Sequence, residues 1–177
     1  MVERSTRSLN ITQPRERLQV KLILLGECSV GKTCLVRQWV NNEFSNRTEA
    51  TIGIDYVFKE MKNSVVNLWD MSGHPDFLEV RNEFYKDASA VLFVFDVTNR
   101  LSFDSLDRWL KEGNRFGAGN ITVGVCGNKV DLGGKRVVQK AEAESWASSR
   151  GFEYYETSAS NGQGVNGMFE GIVGKVR

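Results

Sequence analysis

The segment Gly26-Glu27-Cys28-Ser29-Val30-Gly31-Lys32-Thr33 constrains this chain more than any other. It reads G-x-x-x-x-G-K-T and joins an apolar run at 20–25, a buried strand, to a helical pattern at 32–40. A strand that meets a helix through so short a turn must curl its backbone, and the glycines allow successive N–H groups to face one point. The N-terminus of the helix adds partial positive charge at the same place. A phosphate chain fits this arrangement. Lys32 would reach the β- and γ-phosphates and the Thr33 hydroxyl would bind Mg²⁺. Gly26, Glu27, Cys28, Ser29, Val30, Gly31 and Cys34 would complete the nucleotide-binding loop. A purely structural glycine turn is the competing reading.

Apolar runs and helical patterns alternate along the rest of the chain. Strands are expected at 53–61 and 65–70, a hairpin about Lys62-Asn63-Ser64, and again at 90–96, 121–127 and 152–155. Helices are expected at 77–86, from an N-cap at Ser102 to about residue 116, at 139–150 with Gly151 as C-cap, and at 165–176. The run AVLFVFD (90–96) lacks polar alternation and suits a strand covered on both faces. The expected fold class is therefore α/β. It is a doubly wound, six-stranded, mostly parallel sheet with one antiparallel edge strand from the hairpin and about five helices. Ligands of such sheets bind beyond the carboxyl ends of the strands. Residues 1–18, with Arg4, Arg7, Pro14, Arg15 and Arg17, read as a flexible tail, leaving 19–177 as one domain.

Composition excludes several classes of function. Lys and Arg total 23 against 22 Asp and Glu, a net charge of +1, so no global field favours nucleic acid or an anionic membrane. Three cysteines without C-x-x-C spacing and a single histidine, His74, argue against a disulfide framework or a zinc site and for a reducing compartment, cytoplasmic or nuclear. No apolar run is long enough for a transmembrane segment. No myristoylation glycine or prenyl-anchor cysteine is visible in this chain, and peripheral membrane association stays open.

Two further motifs fall at strand ends. In Asp70-Met71-Ser72-Gly73-His74, Asp70 can hold Mg²⁺ through water and Gly73 can offer its N–H to a γ-phosphate. Alone, D-x-x-G is a common turn. In Asn128-Lys129-Val130-Asp131, the Asp131 carboxylate can accept from the N1–H and N2–H₂ of guanine, a donor pair adenine lacks. A buried acceptor left unpaired costs about 1–3 kcal/mol, so this group selects guanine and weighs against an adenine-using kinase or ATPase. Asn128 can hold the loop and reach the base, and the Lys129 stem can cover its face. The bland alternative is a surface turn with a Lys–Asp pair.

With GECSVGKT, ATIGIDY, WDMSGH, NKVD and ETSAS in order, the chain from Gln19 to about Val176 resembles a Ras-superfamily small GTPase of the Rab-like branch, a P-loop NTPase small G domain. The stretch DMSGHPDFLEVRNEFYKD is similar to the RJL subgroup, Rab-like GTPases some of which carry a J domain. The resemblance implies that the Thr51 hydroxyl joins Mg²⁺ when GTP is bound and that the N–H groups of Thr51 and Gly73 hold the γ-phosphate. It implies that Phe44 packs over guanine and that, in Ser158-Ala159-Ser160, the Ala159 N–H meets the guanine O6. It makes Tyr56, Trp69 and Phe84 a surface for effector and regulatory proteins, with ordinary core packing as the alternative. The implied protein is a monomeric GTP/GDP switch in signalling or trafficking. GTP with Mg²⁺ would order the loops around Thr51 and 73–77, and GDP would release them. Lys32, Gly73 and His74 occupy the catalytic positions.

Several positions depart from that pattern. His74 stands where most relatives place a water-orienting glutamine. It could position water, be inert, or be a surface residue, and the RJL resemblance favours slow hydrolysis. Cys28 replaces a small residue in the phosphate loop, and Ser160 stands where lysine is usual. The connection between Tyr56 and Trp69 is short for the Rab-like branch. Arg47 is the one candidate for an arginine acting in cis, from the loop before Thr51. Two functions follow: a switch that hydrolyses GTP slowly, or a GTP-bound scaffold or adaptor that hardly hydrolyses it.

Overall fold

The apolar run at 90–96 forms strand β4 (Ala90–Asp96), buried at every residue. A computed structural model of the protein, describing residues 17–47, 49–115 and 121–176, sets this strand in the middle of the sheet. The chain runs through β1 (Leu18–Leu25), α1 (Lys32–Asn41), β2 (Ile54–Glu60), β3 (Ser64–Met71), a 3-10 turn (Pro75–Phe77) and α2 (Leu78–Asn82) to β4. It continues through α3 (Arg100–Asp104), α4 (Leu106–Arg115), β5 (Thr122–Asn128), a second 3-10 segment (Val130–Lys135), α5 (Lys140–Ser148), β6 (Glu153–Thr157) and α6 (Val165–Val173). The strand order is β2-β3-β1-β4-β5-β6. Among the described residues, only β2 is antiparallel, paired with β3 through the expected hairpin.

Side chains of a strand alternate between the two faces of a sheet, and the two cores follow that alternation. Val20, Leu22 and Leu24 of β1 pack with Leu35 and Trp39 of α1 and with Met168, Phe169 and Ile172 of α6. Ile23 and Leu25 pack on the opposite face with Phe103, Leu106 and Trp109 of α3 and α4 and with Ala143 and Ala147 of α5. Trp39 and Phe169 stack at 4.3 Å between centroids, 13° from parallel, and tie α1 to α6.

Local details differ from the sequence reading. The first strand begins at Leu18, inside the expected 1–18 tail, and residues 1–16 of that tail lie outside the described residues. The helix expected from Ser102 is capped instead by Asn99, whose side chain accepts from the Leu101 N–H at 3.1 Å. Ser102 is buried; its Oγ accepts from the Asp96 N–H at 3.0 Å and donates to the Asn99 carbonyl at 2.7 Å. The helix breaks at Ser105, whose hydroxyl donates to the Ser102 carbonyl at 2.9 Å, a local bond that competes with the helical ladder. Among the described residues there are thus six α-helices, against the expected number of about five, because this one is split into α3 and α4. The helix expected at 77–86 is the short α2, because Pro75 opens a 3-10 turn before it and the chain turns again at Phe84, whose N–H bonds the Arg81 carbonyl.

Five strands thus deliver their carboxyl ends to one rim, where the turns after β1, β3, β5 and β6 meet. That rim depends on α1 and α6 staying docked. Phe169→Ala is expected to cost about 3–5 kcal/mol in urea denaturation; a loss below about 1 kcal/mol would contradict this packing.

Candidate functional site

The turn after β1 is wedged from two sides. Gly26 has φ 145° and Gly31 φ 100°. A Cβ on Gly26 would lie 2.1 Å from the Val94 carbonyl oxygen, and one on Gly31 would lie 2.3 Å from the Asn128 amide nitrogen. Lys32 folds back beneath the turn, 6% exposed, and its Nζ donates to the carbonyls of Gly26 and Glu27, each at 2.8 Å. Burial lowers the Lys32 pKa, and the nearby Asp70 opposes that shift. The amide end of the ten-residue helix α1 faces the same space.

Asp70, at the end of β3, is 3% exposed. Its Oδ2 accepts from the Thr33 hydroxyl and, at 3.4 Å, from the Thr51 hydroxyl; those two hydroxyls lie 3.1 Å apart. Its Oδ1 is buried and has no hydrogen-bond partner among the described residues. Burial raises the Asp70 pKa above the usual carboxylate range, against the Thr33 hydrogen bond and the Lys32 charge. Two hydroxyls and a carboxylate with one oxygen unsatisfied form a hard-oxygen set that suits Mg²⁺.

The D-x-x-G segment abuts the phosphate turn. A Cβ on Gly73 would lie 2.5 Å from both the Cys28 nitrogen and the Glu27 carbonyl carbon, so any side chain here displaces backbone. His74 follows in extended backbone, its side chain about half exposed. Its Nδ1 accepts from the Asp76 N–H at 3.3 Å and lies 3.4 Å from the Asp76 carboxylate. Arg81 donates to the carbonyls of Ser72 and His74 at 3.0 and 2.7 Å.

Asn128, 1% exposed, staples three loops together. Its Nδ2 donates to the Val30 carbonyl at 2.9 Å, and its Oδ1 accepts from the Thr157 hydroxyl at 3.1 Å and the Ala159 N–H at 3.3 Å. Lys129, in left-handed backbone at φ 68°, pairs with Asp96 at 2.7 Å and donates to the Ser29 carbonyl at 2.7 Å. Asp131 accepts from the Ser158 hydroxyl at 2.6 Å, and the Ser158 and Ser160 hydroxyls lie 3.0 Å apart.

One cavity of about 570 Å³ connects these parts, with Lys32 and Thr33 at one end and Lys129, Asp131 and Ala159 at the other. Cys28, Ser29, Gly31, Cys34, Phe44, Thr51, Gly73, His74, Asn128 and Ser160 also line it. Gly26, Glu27, Val30, Asp70 and Ser158 do not line it. Glu27 turns away altogether: its carboxylate takes the Trp109 indole N–H at 3.0 Å and pairs with Arg108. Arg47 does not line the cavity. Tyr56, Trp69 and Phe84 form a separate row on the hairpin side, with centroids 4.7 and 4.9 Å apart and Tyr56 47% exposed. Sequence reasoning missed Arg81 and its partner Glu112, and no local signal joins residues 31 apart.

A glycine turn at the N-terminus of α1, a hard-oxygen set beside it and the loops of Asp131 and Ala159 around one cavity have the arrangement of a P-loop nucleotide-binding domain. Residues 21–177 match the Ras family, and the chain belongs to it as a small GTPase domain. Domains of this family bind guanine nucleotide and serve as GTP-dependent switches. DnaJ homolog subfamily C member 27 of Danio rerio is 45% identical over 179 residues, covering 94% of this chain and 66% of that protein. The Rattus norvegicus protein of that name is 43% identical over 167 residues, covering 89% of this chain and 61% of its own length. The Homo sapiens protein is 44% identical over 167 residues with the same two coverages, 89% and 61%. The chain thus spans between 61% and 66% of the length of these relatives. Among the described residues, no helix is long and apolar enough to cross a membrane.

The state of Asp70 generates a prediction with a definite sign. A carboxyl whose pKa is raised on folding binds more protons folded than unfolded, so metal-free stability falls as pH climbs through that raised pKa. Asp70→Asn is expected to raise the Tm of the metal-free protein at neutral pH and flatten this slope, while abolishing the Mg²⁺ dependence of nucleotide retention. A lower Tm would contradict the reading.

Proposed function

We propose that this domain is an RJL-type, Rab-like guanine-nucleotide switch whose intrinsic GTP hydrolysis is slow. The observation that carries this reading is that one cavity joins the Lys32–Thr33 end to the Asp131–Ala159 end, beside the Asp70 oxygen that has no partner among the described residues. Lys32 and the amides of residues 28–34 would hold the phosphates. Thr33, Thr51 and, through water, Asp70 would hold Mg²⁺, which when bound neutralises charge developing on the phosphates. Asp131 would read the guanine edge, steadied by the Ser158 hydroxyl, and Phe44 and the Lys129 stem would flank the ring. The Asn128 side chain acts first as the brace of this recess, since both ends of its amide engage protein.

Hydrolysis would be attack of water on the γ-phosphate, giving GDP and phosphate with no covalent protein intermediate. Water needs an acceptor to orient it. With Nδ1 accepting the Asp76 N–H, neutral His74 carries its proton on Nε2 and presents a donor alone. If the ring is protonated, Nδ1 faces the Asp76 carboxylate and the result is the same. The arrangement supports slow turnover, and in the limit the second reading, a GTP-bound adaptor. The relatives' names, DnaJ homologues, support placement in the RJL subgroup. Effector and regulatory proteins would dock on the Tyr56–Trp69–Phe84 row and the adjoining loops, with the domain itself monomeric.

Asp131→Asn tests base recognition: GDP affinity is expected to fall about 10- to 100-fold while xanthosine diphosphate gains, and unchanged preference would refute the assignment. For the chemistry, single-turnover assays with Mg²⁺ should show wild type slower than His74→Gln. An equal or faster wild-type rate would remove the argument from His74, and a wild-type rate of zero would favour the adaptor.

A further inference from the structure

The phosphate turn is a bent backbone that must be held in shape. Gly26, Ser29 and Gly31 all have positive φ, at 145°, 63° and 100°. For Ser29 that conformation is strained, and such strain persists only where the surroundings over-determine it. The second half of the turn is held from the loop after β5: Asn128 donates to the Val30 carbonyl and Lys129 to the Ser29 carbonyl.

The first half is fastened from the opposite side, by α4. The Glu27 Oε1 accepts the Trp109 indole N–H at 3.0 Å and pairs with Arg108. Trp109 is a firm post. It is 2% exposed, packs in the core with Ile23 and Leu25, and has the guanidinium groups of Arg81 and Arg108 at 4.9 and 5.5 Å from its ring centroid. Arg108 is the weaker partner, because its side chain is 63% exposed and water screens the pair. Neither Trp109 nor Arg108 lines the cavity.

The main chain of Glu27 meets quite different groups. Its carbonyl accepts from the Lys32 Nζ at 2.8 Å, and the peptide joining Glu27 to Cys28 is what a Cβ on Gly73 would strike. One residue thus has its side chain tied to α4 and its backbone set among the phosphate-facing groups.

We propose that Glu27 is a positioning residue which, by accepting the Trp109 indole N–H, fixes the Glu27–Cys28 peptide and so keeps Lys32 and the first amides of the turn on the phosphates, slowing nucleotide release. This deepens the guanine-nucleotide reading above and rests on it. A carboxylate suits the task because a hydrogen bond to an ionised acceptor is stronger than one to a neutral group, and the indole is a donor with one fixed direction. Turning the carboxylate onto Trp109 and Arg108 also keeps its charge off the phosphates. The role differs from ligand binding, since Glu27 does not line the cavity.

The test is release of fluorescently labelled GDP from the Mg²⁺-loaded full chain, chased with excess GDP, together with phosphorus NMR of the bound GDP. Trp109→Phe keeps a ring in the core and removes the donor; release is expected to quicken about tenfold. Glu27→Ala is expected to quicken it about 10- to 100-fold, and Glu27→Gln, which retains an acceptor oxygen, should fall between Glu27→Ala and wild type. Arg108→Ala should change release less than about fivefold. Because both groups act through one bond, the variant combining Glu27→Ala with Trp109→Phe should release GDP no faster than Glu27→Ala alone. The β-phosphate resonance of bound GDP should move in Glu27→Ala and Trp109→Phe and return toward its wild-type position in Glu27→Gln, which a mere loss of fold stability would not produce. Wild-type release from a folded Trp109→Phe, additive effects in the double variant, or an unmoved β-phosphate resonance would overturn the proposal. If Glu27→Ala does not fold, Trp109→Phe and Glu27→Gln carry the same test. Failure of the underlying nucleotide reading has a separate signature: wild type that retains no labelled GDP.

Discussion

Everything at the functional rim depends on a buried carboxylate with too few partners. Asp70 is taken out of water at the end of an interior strand, and one of its oxygens has no donor among the described residues. Lys32, also buried, lies near enough to oppose the upward shift of its pKa but spends its own hydrogens on the carbonyls of Gly26 and Glu27. A core would not tolerate such a pair without compensation, since buried charges are retained only when partnered or when they hold an ion. A divalent cation and a polyphosphate would supply what each lacks under the function proposed above: the cation would answer the Asp70 oxygen, and the anion the Lys32 ammonium. The rest of the fold can be read as the apparatus that keeps these two groups at a fixed spacing.

That apparatus is largely backbone. Parallel strands bring the turns after β1, β3, β5 and β6 to one edge, and close approach then sets them in register. Gly26 fits under the Val94 carbonyl, Gly31 against Asn128, and Gly73 against Cys28 and Glu27. Asn128 adds the side-chain counterpart, spanning the phosphate turn and the Ala159 loop with a single amide. The two ends of the cavity are thereby mechanically joined, so under the proposed function a change that loosens the staple would disturb phosphate and base binding together.

Much of this was legible in the residues, for particular reasons. AVLFVFD has no polar face, so only a central strand could hold it, and it became β4. The hairpin about Lys62-Asn63-Ser64 was marked by its turn residues and by the runs on either side, and it pairs β2 with β3 as expected. The spacing of G-x-x-x-x-G-K-T carries its own geometry. Ser102, by contrast, looked like a helix cap and instead serves Asp96 from a buried position, while Ser105 breaks the helix that periodicity extends to residue 116. A hydroxyl can satisfy any nearby backbone group, and periodicity does not say which. Arg81, Glu112 and Tyr85 were invisible as a set because their pairing depends on how α2 docks on α4. Glu27 read as part of the phosphate loop, yet its carboxylate faces Trp109 and Arg108, which sequence spacing could not show.

The measurement that tests the central claim most directly is competitive calorimetry of GDP against ADP on nucleotide-free protein, with and without Mg²⁺. A pocket built from Asp70, Lys32 and Asp131 as described should bind GDP, bind it more tightly with Mg²⁺, and ignore ADP at equal concentration. Equal heats from the two nucleotides, or a GDP affinity indifferent to Mg²⁺, would contradict it.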